Sequence, residues 1–109
     1  MLSISSDTRR ALRARAHAQH AVVSISLKGL SESVLKEIDA SLNAHQLIKV
    51  RVYSDDRELR EHYFNTLCAQ LQAAPVQHIG KLLILWRPPA EGAASTARSR
   101  VKRKKNMRD

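Results

Sequence analysis

One short segment, Ser26-Leu27-Lys28-Gly29, combines residue types that suit contact with an anion. It follows the apolar run 21–25 and precedes an amphipathic stretch that begins near Ser31. Glycine lets another chain approach the backbone closely, and lysine supplies a positive charge. The amides at a helix start point outward, and the helix macrodipole favours negative charge there. The segment therefore predicts a phosphate contact, although glycine is also typical of a simple turn between a strand and a helix.

The net charge is strongly positive and unevenly distributed. The 109 residues include 19 Lys and Arg against 10 Asp and Glu, and the formal net charge is +9. Residues 1–87 contribute +4 and residues 88–109 contribute +5. Together with the segment 26–29, this balance favours a nucleic acid as the partner. The tail residues expected to contact it are Arg98, Arg100, Lys102, Arg103, Lys104 and Lys105.

Five further basic residues are candidates for the same partner. Arg9, Arg10 and Arg13 recur at spacings that cluster them on one side of a predicted first helix. Lys49 and Arg51 lie on the polar face of a predicted strand, opposite its apolar face. For both groups the alternative is an ordinary solvated surface, and for the tail it is a run that serves only solubility.

The chain has only four aromatic residues, Tyr53, Tyr63, Phe64 and Trp86. We assign Tyr63, Phe64 and Trp86 to the core. The number is small for a protein that recognises bases by stacking them on aromatic side chains. The composition therefore predicts recognition of the backbone and shape of the nucleic acid.

Catalytic and metal chemistry find little support. The five histidines fall on separate predicted elements, and Cys68 lies in a helical pattern next to apolar positions. No HExxH motif or cysteine pair occurs. Glu58, Glu61 and His62 are read as exposed helix charge, because no nucleophile or nucleotide-binding loop accompanies them. We expect a protein that is not an enzyme and has no metal, cofactor or small-molecule substrate.

Length and hydropathy predict one domain in the cytoplasm. No run of 18 apolar residues occurs, and the N-terminus lacks the basic and apolar regions of a signal peptide. A lone cysteine cannot form an internal disulfide and is typical of a reducing compartment. We expect a monomer with no membrane partner.

The periodicity of apolar residues predicts the elements that position these candidates. They are a helix over 6–18, strands over 21–26 and 47–53, helices over 31–45 and from 54 to 71, and strands over 76–79 and 82–86. Gly80-Lys81 joins the last two strands in a tight hairpin. The order α-β-α-β-α-β-β predicts an α/β sandwich with a mixed four-stranded sheet and three helices. We expect the domain to span residues 1–89, and residues 90–109 to form a disordered basic tail.

Apolar stripes mark the core faces of the predicted helices. Leu12 and several alanines form only a thin stripe on the first helix. The stripe of the second helix is Val34, Leu35, Ile38 and Leu42, and that of the third is Leu59, Tyr63, Leu67 and Leu71. Asp55 and Glu58 have the spacing of a capping box at the start of the third helix.

Several of these segments, taken in order, resemble the CRM family (chloroplast RNA splicing and ribosome maturation), in particular its bacterial YhbY-type members. The matching segments are Gly29-Leu30-Ser31 leading into Val34-Leu35, Leu47–Val52, Asp56-Arg57-Glu58, Ile79-Gly80-Lys81 and Leu85-Trp86-Arg87-Pro88. The resemblance implies RNA binding, linked in bacteria to precursors of the large ribosomal subunit. It also implies a GxxG loop like that of KH domains, and here Ser26 replaces the first glycine.

These observations lead to one main hypothesis and one rival. The first is an RNA-binding protein that contacts the rRNA backbone through the degenerate GxxG-like loop and acts in assembly of the large (50S) ribosomal subunit. The rival is a protein-interaction adaptor on assembling ribosomes, whose basic tail gives only non-specific affinity for RNA.

Overall fold

The computed structural model describes residues 1–89, and its elements follow the predicted order. They are α1 (Ser6–Ala16), β1 (Val23–Ile25), α2 (Glu32–His45), β2 (Leu47–Val52), α3 (Arg57–Leu71), β3 (Ala74–Ile79) and β4 (Leu82–Trp86). The strand order is β1-β2-β4-β3. β1 and β2 are parallel, whereas β4 is antiparallel to both β2 and β3. The predicted α/β fold with a mixed four-stranded sheet is confirmed.

Helices cover both faces of the sheet. On one face α2 and α3 enclose the larger core, which includes Ile25, Ile38, Val50, Phe64 and Leu83. On the other face α1 packs alone through Leu12 and Ala16 against Leu47, Val76 and Ile84. The thin stripe of α1 therefore has its own apolar partner. Because a single helix covers that face, it leaves the side chains of Arg51 and Ile79 exposed.

Short polar side chains begin the helices. Ser5 Oγ accepts a hydrogen bond from the Thr8 amide at α1, and Asp56 Oδ1 accepts from the amides of Glu58 and Leu59 at α3. The prediction that Asp55 and Glu58 form a capping pair is wrong, because the cap of α3 is the next residue, Asp56. With Asp56 as the cap, Leu59 occupies the third helical position, so the reciprocal carboxylate contact of a capping box cannot form.

The buried stripe of α3 also differs from the prediction. Phe64, Leu67 and Cys68 are buried, whereas Tyr63 and the other predicted stripe residues, Leu59 and Leu71, are only partly buried. Arg60 lies on the buried side as well. Its Nη1 donates to the Ser54 carbonyl at 2.8 Å, and its Nε donates to His78 Nε2 at 3.3 Å. These partners let an arginine occupy a position where periodicity predicts an apolar side chain.

The β3–β4 hairpin turns at Gly80-Lys81, as predicted. β3 starts earlier than predicted and includes Pro75, which an edge strand tolerates because one side of it makes no ladder hydrogen bonds. A register shift follows between Pro75 and Gln77. The predicted basic tail lies outside the described residues.

Arg87, just after β4, ties three elements together. Its Nη1 donates to Asp39 Oδ1 at 2.8 Å on α2 and to the Leu71 carbonyl at 2.9 Å at the end of α3. Its Nη2 donates to the Asp39 carbonyl at 3.1 Å and to Asn43 Oδ1 at 2.8 Å. The family resemblance includes Arg87 without giving it a role, and these bonds show that it holds α2 and α3 together. None of the helices within residues 1–89 is long and apolar enough to cross a bilayer.

Candidate nucleic-acid interface

The segment 26–29 forms a closed turn between β1 and α2. The Gly29 amide donates to the Ser26 carbonyl at 2.9 Å, and the Lys28 amide donates to Ser26 Oγ at 3.3 Å. Gly29 has a φ of +86°, whereas Ser26 has a negative φ. Serine therefore fits the first position of this turn, where its side chain closes the loop on itself.

Gly29 lies on the inner side of the turn, where it packs against α3. It is buried, and a Cβ at this position would lie 2.8 Å from the Tyr63 hydroxyl of α3. Since the amides of Lys28 and Gly29 both bond to Ser26, they are not free to bind an anion. At the start of α2 the Val34 amide is likewise occupied, because it donates to Ser31 Oγ. Glu32 adds a negative charge in the first turn of that helix.

The loop presents three exposed side chains. Ser26, Leu27 and Lys28 are all exposed, and Leu27 at the tip has 88% of its surface accessible. Lys28 forms no ion pair with a carboxylate of residues 1–89. Ser26 Oγ accepts from an amide, so its hydroxyl hydrogen stays available for a phosphate oxygen.

A row of side chains on β2 continues from this loop. Lys49, Arg51 and Tyr53 alternate with buried residues and share the face that carries α1. β1 pairs with β2 so that Ile25 lies beside Val52, and the Tyr53 amide donates to the Ile25 carbonyl at 2.9 Å. This register places Tyr53 at the start of the loop. Tyr53 lines a shallow depression together with Ser26, Leu27 and Lys28.

The basic side chains of this row are held in place. The Arg51 guanidinium lies over the Tyr53 ring, 5.3 Å from its centroid, in cation–π geometry. Lys49 Nζ donates to the Gln19 carbonyl at 2.9 Å. That bond uses one of the three ammonium donors of Lys49, so the charge and two donors remain for a ligand.

The arginines of α1 do not form the single cluster that their spacing predicts. Arg13 reaches a depression on the sheet that Lys49 also lines. Arg9 Nε donates to the Pro75 carbonyl at 3.3 Å, and Arg10 pairs with Asp7 at 3.5 Å. Adjacent helical residues point about 100° apart, so Arg10 cannot face the sheet together with Arg9. Only Arg13 joins the row that runs along β2.

An ion pair borders the loop on the hairpin side. Lys81 Nζ lies 2.8 Å from Asp55 Oδ1, and both residues line a second depression with Leu27 and Tyr53. The hydrogen bond and the charge of Lys81 lower the pKa of Asp55 from 3.8. Since this pair is locally neutral, the positive charge near the loop comes from Lys28 and Arg51.

Tyr53 is the residue that sequence reasoning left out of the site. The period-two alternation that places Lys49 and Arg51 on the polar face of the strand continues to Tyr53. This alternation could have indicated that Tyr53 belongs to the same surface. Phe64 is buried as predicted, whereas Tyr63 and Trp86 are partly buried against the two cores. Burial raises the pKa of the Cys68 thiol to about 12, which suits packing and opposes a nucleophilic role. Within residues 1–89, no three His, Cys, Asp or Glu side chains gather as a metal site requires.

Known proteins are similar to this chain in sequence. The family model of the CRS1 / YhbY (CRM) domain matches residues 4–87. A Haemophilus influenzae protein named as an RNA-binding protein is 41% identical over 91 residues, covering 84% of this chain and 92% of that protein. A Pseudomonas aeruginosa protein named "Probable RNA-binding protein" is 31% identical over 86 residues, covering 79% of this chain and 83% of the relative.

A solved structure gives the same result. The solution structure of a hypothetical protein from Staphylococcus aureus matches with a TM-score of 0.73 at 30% identity, covering 84% of this chain and 93% of that one. Since the family model spans most of the sequence and the relatives match over nearly their full length, the chain belongs to the CRS1/YhbY (CRM) domain family.

Proposed function

We propose that the chain binds RNA through the row that runs from the loop 26–29 along β2 to α1, and acts without catalysis in assembly of the large ribosomal subunit. The observation that carries the proposal is the alignment of Lys28, Arg51, Lys49 and Arg13 on one side of the molecule. The names of the relatives support RNA as the ligand. The resemblance to bacterial YhbY-type members supports large-subunit rRNA as the target.

In this proposal side chains contact the phosphates. The Lys28 ammonium and the Ser26 hydroxyl reach one phosphate at the loop, while Arg51, Lys49 and Arg13 follow the backbone along the sheet. Charged donors give short, strong hydrogen bonds to phosphate oxygens. Gly29 makes no contact with the RNA in this proposal, and its positive φ allows the turn to form. Arg9 and Arg10 are assigned to the edge of this surface, and the basic residues of the tail add affinity that does not depend on sequence.

The test of the proposal reverses one charge at the loop. Lys28→Glu is expected to raise the Kd for a large-subunit rRNA fragment roughly 10- to 100-fold, because a charge-assisted hydrogen bond is lost and a repulsion replaces it. Lys36→Glu is the matched control, since Lys36 is an exposed lysine of α2 and its substitution changes the net charge by the same amount. If both variants weaken RNA binding equally, Lys28 contributes only through the net charge of the protein, and the proposal is contradicted.

A cellular measurement tests the target. Crosslinking followed by RNA sequencing is expected to yield discrete large-subunit rRNA peaks that Lys28→Glu removes and Lys36→Glu preserves. Peaks spread over all cellular RNA would contradict a ribosomal role.

The exposed apolar side chain of Leu27 favours a second candidate, an adaptor that contacts a protein of the assembling ribosome. Capture of partners before and after nuclease treatment separates the two functions. Loss of all partners after nuclease favours RNA as the primary ligand. Retention of the same protein partners favours the adaptor.

A further inference from the structure

We propose that Tyr53 and Leu27 form a stacking site for one unpaired nucleobase, so that the preferred ligand is single-stranded RNA. This inference rests on the proposed RNA binding and adds a base contact to a surface that otherwise reaches only phosphates.

The first observation is the exposure of two apolar side chains beside each other. Leu27 is 88% exposed and Tyr53 is 48% exposed, and both line one depression with Ser26 and Lys28. Among residues 1–89 the other exposed large hydrophobic residues are Met1, Val22 and Ile79, and these do not line this depression. An exposed aromatic paired with an exposed leucine at a binding loop is a surface that a ligand can cover.

The second observation is that the ring is held in position before any ligand arrives. The backbone of Tyr53 is fixed by its hydrogen bond to Ile25, and the Arg51 guanidinium lies over the ring. A positioned ring loses little conformational entropy when a planar group stacks on it. Because the guanidinium lies over one face of the ring, the base is proposed to stack on the opposite face.

The chemistry around the patch selects its occupant. Lys28 and Ser26 border the apolar surface with a cation and a hydroxyl donor, and Asp55 beside it is neutralised by Lys81. A nucleotide fits both features of this patch. Its base has apolar faces that can cover the apolar surface, and its phosphate is an anion that can pair with Lys28. An apolar peptide side chain would cover the patch and leave the charge of Lys28 without a partner. A duplex hides the faces of its bases in the stack, so an unpaired base fits best.

The experiment compares two single-stranded probes of about ten nucleotides, within the range of a single-strand binding site: oligo(A) and an abasic oligoribonucleotide of the same length and charge. Tyr53→Ala is expected to raise the Kd for oligo(A) roughly 5- to 150-fold, the range expected for loss of one base–aromatic stack. The Kd for the abasic probe is expected to change less than about twofold, because this probe has no base to stack. Tyr53→Phe keeps the ring and is expected to bind both probes like the unmodified chain.

Two further variants control the result. Leu27→Ser is expected to weaken oligo(A) selectively, and the exposure of Leu27 makes loss of folding a poor explanation. Val22→Ala removes exposed apolar surface at the opposite end of β1 and is expected to leave both affinities unchanged. Equal weakening of both probes by Tyr53→Ala, or no weakening of either, overturns the stacking site.

The same probes separate this inference from the proposed function. If Lys28→Glu weakens both probes while Tyr53→Ala leaves oligo(A) binding intact, the base site is wrong and RNA binding stands. If Lys28→Glu weakens neither probe, the loop-directed RNA binding on which the base site rests is itself contradicted.

Discussion

At Gly29 two constraints meet on one residue. The backbone has a φ of +86°, which residues with a Cβ rarely adopt, and the Tyr63 hydroxyl lies 2.8 Å from where a Cβ would stand. The glycine is therefore needed by the turn and by the packing of α3 against it. This role precedes any contact with RNA, because Lys28 and Leu27 are presented only if the turn closes.

Gly29→Ala is expected to lower the free energy of unfolding by about 1–3 kcal/mol through backbone strain, with an added cost from the contact with Tyr63. The double variant Gly29→Ala with Tyr63→Phe removes the hydroxyl and leaves the next atom at 3.7 Å, an ordinary contact. Urea denaturation of the two single variants and the double variant is expected to show that the alanine costs less when the Tyr63→Phe change is present. An equal cost with and without that change would contradict the contact.

Asp55 shows how a single pair responds to pH. The hydrogen bond and charge of Lys81 lower its pKa from 3.8, so the pair stabilises the fold above the pKa of the unfolded carboxyl. That contribution is lost as the pH falls through the lowered pKa of the folded state.

Lys81→Ala is expected to return the pKa of Asp55 toward 3.8, because both main causes of the shift disappear. An NMR titration of the Asp55 carboxyl measures this change. Lys36→Ala is the control and is expected to leave the titration unaltered. An unchanged pKa in Lys81→Ala would mean that the ion pair does not form in solution.

Among the secondary-structure elements, β4 and the two helices of the larger core meet at Arg87. Its guanidinium donates hydrogen bonds to four acceptors on α2 and α3, including the last carbonyl of α3. A lysine keeps the charge but cannot reproduce this planar fork. Arg87 therefore links the end of β4 to α2 and to the C-terminal end of α3.

Arg87→Met is expected to lower the free energy of unfolding by about 2–3 kcal/mol, since bonds to charged groups are lost and acceptors are left unpaired. Arg87→Lys is expected to give an intermediate loss. Arg10→Met is the matched control, because Arg10 also pairs with an aspartate but is 72% exposed, and its cost is expected to stay below about 1 kcal/mol. Chemical denaturation measures all three variants. Equal losses for Arg87→Met and Arg10→Met would contradict the stabilising role of the Arg87 hydrogen bonds.

Across the molecule as a whole, the charge is divided between the fold and the tail. Residues 1–87 carry +4 and residues 88–109 carry +5. In the proposed binding mode, positioned charges on the fold place the RNA, whereas a dense basic run attracts any polyanion. Affinity and placement are thus expected to depend on different parts of the chain.

This division predicts the salt dependence of binding. A chain ending at Pro89 that neutralises about five phosphates of a single strand is expected to give a slope of about −3.5 in a plot of log K against log salt. The full chain is expected to give a steeper slope because the tail releases further counterions. Fluorescence anisotropy over a salt series measures both slopes, and identical slopes would show that the tail does not contact the RNA.

Local signals in the chain were enough to predict the order of the elements, the place of the loop 26–29 and the excess of basic residues. Periodicity, caps and turn residues act over a few positions, so they can be read without the fold. Contacts over long separations depend on the packing of the elements. The pairing of Ile25 with Val52 brings Tyr53 to the loop, and the packing of α3 buries Gly29 beneath Tyr63. The partners of Arg87 and Arg9, and the His78 partner of Arg60, likewise come from distant elements. Neither spacing nor composition specifies such contacts.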